Sequence, residues 1–317
     1  MTTSTAQAIF EAHTARFGAA PATTPAATPA AAQATTSAVA AAAPTFTSDD
    51  AVYRAAKEAC LRLGFVEADA QCLAEAWQRR SARLGFNATD WPDEPAEFGM
   101  RPWPRPEAFA ACPRALGLYA VLPDAAWVGR MARAGVPTVQ LRFKSEDPAA
   151  IAREVRAAIS AVAGTQTLLF INDHWRLALE AGAYGVHLGQ EDLAGADLDA
   201  IRAAGVRLGV STHGYAELVR ADALSPSYVA MGAVFPTTLK RMVTAPLGTS
   251  RLAAYARVLR DYPLVAIGGI DLGRLPEVLE SGVGSVAVVR ALVDAQNPEA
   301  AVAQLMEALR AGANGSP

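Results

Sequence analysis

Polar residues follow several short apolar runs in the second half of the chain, and their types suit the binding of anions. After the run that starts at Thr138, alternation predicts that Gln140, Arg142 and Lys144 share one face of a strand. Two cations on an inward face need an anion to offset the desolvation of their charges. We therefore expect an anionic substrate group next to Arg142 and Lys144.

Two pairs of polar residues follow the next two apolar runs. Asn172 and Asp173 end one run, and Glu191 and Asp192 come shortly after the other. On adjacent parallel strands Asp173 and Asp192 would lie together and suit Mg²⁺, which takes one or two carboxylates plus substrate phosphates. Two simpler interpretations stay open, namely that Asp173 caps a helix starting near His174 and that Glu191 and Asp192 form a solvated loop.

A glycine pair and an arginine follow the last two apolar runs. Gly268 and Gly269 end the first of these, and Val289 and Arg290 end the second. Backbone N–H groups can approach a phosphate closely at paired glycines. A tight turn would explain the glycine pair equally well. A phosphate here, an anion beside Arg142 and a metal would together indicate a substrate with a diphosphate leaving group.

The apolar runs themselves predict the fold. They span residues 116–121, 138–143, 168–171, 185–188, 207–210, 228–231, 264–267 and 285–289, and helical patterns such as 151–162, 198–204, 215–224, 252–259 and 275–279 lie between them. Continuous apolar strands that alternate with helices predict a parallel sheet covered on both sides. Eight such units in roughly 200 residues favour an α/β fold of the (β/α)₈ TIM-barrel class. The alternative is an open doubly wound sheet, but the sequence has neither GxGxxG after the first strand nor a Walker A motif.

The first part of the chain differs in composition and divides into two segments. Residues 1–45 consist largely of Ala, Thr and Pro, which predicts a disordered tail. Residues 46–112 are a predicted helical extension and Pro-rich linker, with Ser48 capping a first helix, Gly64 ending it and a second helix reaching about Leu84. We expect this extension to pack, as a structural accessory, on a barrel formed by residues 113–317.

Composition and charge argue against several classes of protein. The 317 residues carry a net charge of −3 with scattered Lys and Arg, which gives no electrostatic basis for binding nucleic acid or an anionic membrane. Three unpatterned cysteines and four histidines without zinc spacing argue against a disulfide scaffold and a structural zinc site. No apolar run reaches the length of a membrane helix and no signal peptide is evident, so we expect a cytoplasmic protein.

Four motifs resemble those of thiamine phosphate synthases. They are Ile171-Asn172-Asp173, residues 185–192 (GVHLGQED), residues 209–213 (GVSTH) and residues 265–270 (VAIGGI). The resemblance extends from about residue 116 to residue 292 and keeps the family's order and spacing. It implies a Mg²⁺-dependent transferase of thiamine biosynthesis. Such an enzyme joins 4-amino-5-hydroxymethyl-2-methylpyrimidine diphosphate to a thiazole phosphate, or to its carboxylated form, and releases diphosphate.

The resemblance also implies roles for individual residues. Mg²⁺ would be bound by Asp173 and Asp192. The pyrimidine diphosphate would be bound by Gln140, Arg142, Lys144, Asn172, Ser211 and Lys240, of which Arg142, Lys144, Ser211 and Lys240 would act in catalysis. The thiazole phosphate would be bound by Thr237, Thr238, Gly268, Gly269, Val289 and Arg290.

Two residues depart from the family pattern. Leu239 stands where a threonine is usual, so the thiazole phosphate would lose a hydroxyl donor worth about 1 kcal/mol unless Thr238 takes its place. Arg290 stands where a serine is common, and it would add a charged donor to the phosphate. Both departures concern the thiazole subsite, and neither concerns the metal subsite.

Two other functions fit the same scaffold. A thiazole tautomerase would isomerise its substrate and would need neither the diphosphate-binding cations nor the metal carboxylates. A non-catalytic phosphate-binding module would predict loss of the carboxylates, whereas Asp173 and Asp192 are both present. We therefore expect small-molecule substrates and no nucleic-acid or membrane partner. The sequence leaves homo-oligomer formation open.

Overall fold

The computed structural model describes residues 4–19, 49–237 and 245–314. The chain divides into two units, Met1–Pro92 and Asp93–Pro317. Four residues named in the sequence predictions, Ser48, Thr238, Leu239 and Lys240, lie outside the described residues. Within the described ranges, no helix has the length and apolar character needed to cross a membrane.

The first unit is built from helices. They are α1 (Thr5–Phe17), α2 (Ala51–Arg62) and α3 (Glu67–Leu84). Helices α2 and α3 match the two helices that the sequence predicts here. The side chain of Asp50 caps α2 by accepting a hydrogen bond from the backbone N–H of Tyr53 at 2.8 Å. Asp50 therefore performs the capping role that the sequence analysis gave to Ser48.

Composition does not predict helix α1. The prediction of a disordered tail is wrong for residues 5–17, and residues 20–45 lie outside the described ranges. Ile9 and His13 are buried, and the ring centroid of Phe17 lies 4.5 Å from that of Trp91 and 5.5 Å from that of Phe65. These apolar residues recur at helical spacing and pack against partners far along the chain. The segment as a whole is rich in Ala and Thr, so its average composition does not reveal these residues.

In the second unit, eight parallel strands close into a barrel. They are β1 (Gly117–Leu122), β2 (Thr138–Leu141), β3 (Leu168–Asn172), β4 (Gly185–Leu188), β5 (Arg207–Thr212), β6 (Tyr228–Met231), β7 (Leu264–Ile267) and β8 (Ser285–Val288). Each strand pairs with the next, and β8 pairs with β1. The predicted apolar runs match these strands to within two residues at each end. The α/β fold of the (β/α)₈ class is confirmed.

Helices separate the strands and complete the barrel unit. They are α4 (Ala125–Arg133), α5 (Pro148–Val162), α6 (Trp175–Ala181), α7 (Gln190–Leu193), α8 (Leu198–Ala203), α9 (Tyr215–Leu224), α10 (Gly248–Val258), α11 (Leu275–Leu279), α12 (Arg290–Val293) and α13 (Pro298–Asn314). The side chain of Asp124 caps α4, and that of Asp147 caps α5. Such caps satisfy backbone N–H groups that the first turn of a helix leaves unpaired.

Large aromatic side chains fill part of the barrel interior. The ring of Phe170 lies 5.1 Å from that of Tyr228 between centroids, and both are fully buried. The strand register places Gly209 opposite Tyr228 and Gly185 opposite Phe170. A Cβ atom on either glycine would overlap the facing ring. The two glycines therefore provide the space that the two rings occupy.

The Pro-rich segment that precedes β1 packs against the barrel through a buried ion pair. Arg105 donates to the two carboxylate oxygens of Asp222 at 2.6 and 2.7 Å, to its carbonyl oxygen at 2.5 Å and to Ser225 Oγ at 2.9 Å. The hydroxyl of Tyr262 donates to the same carboxylate at 2.9 Å. Because of such contacts, the barrel unit begins at Asp93, before the predicted boundary at residue 113.

Candidate active site

A cavity of about 870 Å³ opens at the carboxyl ends of the barrel strands. Its volume falls in the range of about 300–1,000 Å³ that is usual for small-molecule sites. The structure brings the following predicted residues to its wall: Gln140, Arg142, Lys144, Asn172, Asp173, Asp192, Ser211, Thr237, Gly268, Gly269, Val289 and Arg290. Thr238 and Lys240 lie outside the described residues, so their positions stay predictions.

Arg142 and Lys144 approach the cavity from a loop. The prediction that they share a strand face with Gln140 is wrong, because β2 ends at Leu141. The backbone N–H of Arg142 donates to the carbonyl of Leu122, the last residue of β1, at 2.8 Å. Both side chains nevertheless line the cavity. The side chain of Lys144 is 56% exposed, so its charge stays accessible to a ligand.

Asp173 is held in an unusual backbone conformation at the end of β3. Its φ angle is +62°, in the left-handed region that non-glycine residues rarely adopt. Its N–H donates to the carbonyl of His187 at 3.1 Å, and its Oδ2 lies 2.5 Å from Lys144 Nζ. The residue at the N-cap position of α6 is His174. The structure thus excludes the simpler interpretation of Asp173 as that cap and directs its carboxylate to the cavity.

Asp192 belongs to the short helix α7 and lies close to Asp173. One carboxylate oxygen of Asp192 accepts a hydrogen bond from the N–H of Gly189 at 3.2 Å. Burial, together with the negative charge of Asp173, raises the pKa of Asp192 above its ordinary value. A divalent cation bound by both carboxylates would remove this repulsion.

The donor set at this point fits magnesium. Asp173 and Asp192 offer carboxylate oxygens, and Mg²⁺ is bound through one or two carboxylates with water and substrate phosphate completing its shell. The described residues contain no group of three or more Asp, Glu, His or Cys side chains arranged to hold a metal. The pair would therefore supply two protein ligands and leave the remaining positions to phosphate and water.

A chain of hydrogen bonds crosses the interior below the carboxylates. Gln140 Nε2 lies 2.9 Å from Tyr119 Oη, which lies 2.7 Å from Tyr228 Oη. His187 Nδ1 lies 2.7 Å from the same Tyr228 oxygen, and His187 Nε2 lies 2.7 Å from Ser211 Oγ. The sequence analysis singled out neither tyrosine and gave His187 no role in the site. The sequence feature that could have indicated the two tyrosines is their position in apolar strands, because a buried tyrosine hydroxyl needs a hydrogen-bond partner.

The glycine pair after β7 lies against the loop that follows β6. Gly268 has a φ of +107° and Gly269 a φ of +66°, both in the left-handed region. A Cβ on Gly268 would lie 2.5 Å from the Cβ of Ala233, and one on Gly269 would lie 2.8 Å from the carbonyl oxygen of Pro236. Only glycine fits both the backbone angles and the space, so the backbone itself forms this part of the cavity wall.

Two arginines stand at the same end of the cavity. Arg290 is the first residue of α12 and is exposed. Arg274, which the sequence analysis did not single out, donates to the carbonyl of Gly269 at 2.7 Å and lies over the ring of Phe235 at 4.8 Å from its centroid. This end of the cavity therefore combines positive charge with glycine backbone, a combination that suits a phosphate.

The family model described as thiamine monophosphate synthase matches residues 118–292. The chain belongs to this family. The matched residues begin in β1 and end in α12, so they contain β2 to β8 in full and all of β1 except Gly117. They also include every predicted site residue, whether described or not.

Relatives in the thiamine monophosphate synthase family support the match. The thiamine-phosphate synthase of Neisseria meningitidis serogroup B is 57% identical over 187 residues, which are 59% of this chain and 91% of the relative. That of Cronobacter sakazakii is 53% identical over 199 residues, or 63% of this chain and 95% of the relative. Among solved structures, a thiamine phosphate pyrophosphorylase from Pyrococcus furiosus has 26% identity to this chain and a TM-score of 0.57. The match covers 63% of this chain and 98% of that structure.

These coverages separate the family's barrel from the rest of the chain. The relatives are matched over almost their whole length by little more than half of this chain. A member of the thiamine monophosphate synthase family therefore needs little beyond the barrel. Residues 4–92, with helices α1 to α3, lie outside the region that matches the family model.

Proposed function

We propose that the chain forms thiamine phosphate. The reaction joins 4-amino-5-hydroxymethyl-2-methylpyrimidine diphosphate to 4-methyl-5-(2-phosphoethyl)thiazole and releases diphosphate. When the carboxylated thiazole is the substrate, carbon dioxide is released as well. Family membership supports this reaction. The observation that carries it is the arrangement of one cavity, with carboxylates and cations at one end and a glycine pair with two arginines at the other. Such a cavity can bind a diphosphate and a phosphate ester in reach of each other.

Asp173 and Asp192 would hold a magnesium ion. When bound, Mg²⁺ supplies Lewis-acid stabilisation of the negative charge on the departing diphosphate. Lys144 already pairs with Asp173, so its ammonium group lies where it can also donate to diphosphate oxygens. Arg142 lines the same wall and adds a guanidinium group, which binds phosphate through two parallel N–H donors.

The bond that breaks lies between the pyrimidine methylene carbon and the diphosphate oxygen. The electron pair leaves with the diphosphate, and the thiazole nitrogen then bonds to the methylene carbon. The protein must therefore stabilise a leaving anion and need not supply a nucleophile. Burial raises the pKa of Cys112, which lies near the barrel interior, to about 12, so this thiol stays protonated at neutral pH. Lys240 and Ser211 are proposed as further donors to the diphosphate.

The other end of the cavity would bind the thiazole phosphate. Gly268 and Gly269 would present backbone N–H groups to it, with the Thr237 hydroxyl and the backbone near Val289 beside them. Arg290 would add a charged donor at the position where the family commonly has serine. We propose that this donor offsets the loss of a threonine hydroxyl in the loop that follows β6.

The test is thiamine phosphate formation by the full chain from the two substrates with Mg²⁺. Asp192→Asn should lower turnover at least roughly tenfold, since it removes a charged ligand of the metal. Asp199→Asn is the matched control, because Asp199 is an exposed carboxylate that pairs with Arg202 away from the cavity. Full turnover after metal removal with EDTA would contradict the metal assignment. Isomerisation of the thiazole without coupling would instead indicate a tautomerase.

A further inference from the structure

The hydrogen-bonded chain across the barrel connects two residues that the proposed function assigns to the pyrimidine diphosphate. Gln140 on β2 stands at one end, and Ser211 on β5 stands at the other. Tyr119 on β1, Tyr228 on β6 and His187 on β4 lie between them. The chain therefore spans five strands that are far apart in sequence. The three middle residues have no role in the proposed reaction so far.

Hydrogen counting gives this chain a direction. The amide nitrogen of Gln140 can only donate, so Tyr119 Oη accepts its hydrogen and passes its own to Tyr228 Oη. The Tyr228 hydrogen then goes to His187 Nδ1. A neutral imidazole that accepts at Nδ1 carries its proton on Nε2, which donates to Ser211 Oγ. The hydroxyl hydrogen of Ser211 is then available for another acceptor.

Tyr119, His187 and Tyr228 line the floor of the cavity, and their burial limits the partners they can reach. Tyr119 is 1% exposed and Tyr228 is 0% exposed, so each phenol must find its partner within the protein. Gly209 leaves room for the Tyr228 ring. Ser211 is less deeply buried and lines the cavity, and its carbonyl accepts from Gln190 Nε2 at 2.8 Å, which fixes its backbone.

We propose that Tyr119, Tyr228 and His187 are positioning residues that direct the hydroxyl hydrogen of Ser211 into the cavity. There the hydroxyl donates to an oxygen of the departing diphosphate, which is where hydrogen-bond donors stabilise developing charge. In the opposite direction, Ser211 would donate to His187 and could offer the diphosphate only its lone pairs. The effect on the diphosphate rests on the proposed function. The direction of the hydrogen bonds, in contrast, can be measured without substrate.

Nitrogen NMR of the ligand-free, ¹⁵N-labelled full chain measures that direction. The chain has four histidines, and comparison with His187→Gln assigns the ring nitrogens of His187. We expect a neutral ring with its proton on Nε2 and an unprotonated Nδ1. A proton on Nδ1 would reverse the chain and overturn the proposal. In Tyr228→Phe, which keeps the ring and removes the hydroxyl, the Nδ1-protonated form should appear. An unchanged tautomer in that variant would show that Tyr228 does not set it.

Binding of inorganic diphosphate with Mg²⁺ tests whether the effect passes through Ser211. Tyr228→Phe should weaken this binding by about two- to tenfold, the loss expected for one net hydrogen bond. Tyr262→Phe, which removes another buried tyrosine hydroxyl away from the cavity, should leave it unchanged. In a Ser211→Ala background, Tyr228→Phe should have no further effect. The same loss in both backgrounds would refute positioning through Ser211.

The two proposals can fail separately. If the expected His187 tautomer is found and the protein makes no thiamine phosphate, the reaction is refuted. The direction of the hydrogen bonds then still stands. If the chain makes thiamine phosphate and His187 is protonated on Nδ1, the reaction stands and the positioning role is refuted. A lower turnover number in Tyr228→Phe with an unchanged KM for the thiazole phosphate would support both.

Discussion

Replacing Arg105 by methionine is expected to destabilise the barrel unit by about 3–5 kcal/mol, the usual effect of breaking a buried ion pair from one side. The side chain of Arg105 is 4% exposed and that of Asp222 is 8% exposed. Methionine would keep much of the apolar packing and remove hydrogen bonds to both carboxylate oxygens, to the carbonyl of Asp222 and to Ser225. Among the described residues, the hydroxyl of Tyr262 would remain as a donor to the buried carboxylate of Asp222.

Hydrogen exchange in increasing urea, read by mass spectrometry on peptides from β5 and β6, measures this loss. Peptide resolution separates the barrel from residues 4–92, which form another unit. Arg101→Met is the control, because its ion pair with Glu107 is exposed and should contribute little to stability. The double variant Arg105→Met with Asp222→Leu should recover most of the stability, since no buried charge then lacks its partner.

A loss below about 1 kcal/mol in Arg105→Met would refute this reasoning, because the pair would then behave like an exposed one. Turnover at saturating substrate should not change in the folded variant, since neither Arg105 nor Asp222 lines the cavity. A lower turnover number with unchanged stability would assign Arg105 a role in the site that the structure does not show.

Four further outcomes are expected. Asp173→Asn should raise the Mg²⁺ concentration for half-maximal turnover about tenfold, and an unchanged Mg²⁺ titration would exclude it as a ligand. Arg290→Ser should raise the KM for the thiazole phosphate about three- to tenfold with little change in turnover, the effect of one partly solvated charged donor. Gly209→Ala should cost about 1–3 kcal/mol of unfolding free energy by urea titration, because its Cβ overlaps the Tyr228 ring. Burial raises the pKa of Cys112 to about 12, so its thiol stays protonated at pH 8. Alkylation of Cys112 by iodoacetamide, read by peptide mass spectrometry, should therefore be slow at pH 8 and rise with pH, and rapid labelling at pH 8 would contradict this.

The strands could be predicted because a parallel sheet that is covered on both faces requires continuous apolar runs. The strands Gly185–Leu188 and Tyr228–Met231 begin and end where the apolar runs do. Strand β2 ends at Leu141, two residues before its run does, and the next residue is Arg142, whose N–H donates to the carbonyl of Leu122. Its side chain still lines the cavity, because the loop after a barrel strand leads to the same rim.

Features that depend on distant partners could not be predicted. Phe17 of helix α1 packs against Phe65 and Trp91, which no local pattern connects to it. Tyr119 and Tyr228 stand within apolar strands, where a tyrosine is read as a core residue. Only the closed barrel brings their hydroxyl groups within 2.7 Å of each other. The site residues that follow the strands, in contrast, lie in regions that the sequence marks by their polarity.

Gly209 lies directly opposite Tyr228, and this contact constrains which substitutions the two positions can accept. Two neighbouring strands hold them in direct register, and a Cβ at position 209 needs the space of the ring. The route that avoids this overlap loses the ring before the glycine is replaced. The intermediate in that path lacks the tyrosine hydroxyl that links Tyr119 to His187. Gly209, which has no chemistry of its own, is thus linked through the space for the Tyr228 ring to the hydrogen-bonded series from Tyr119 to His187.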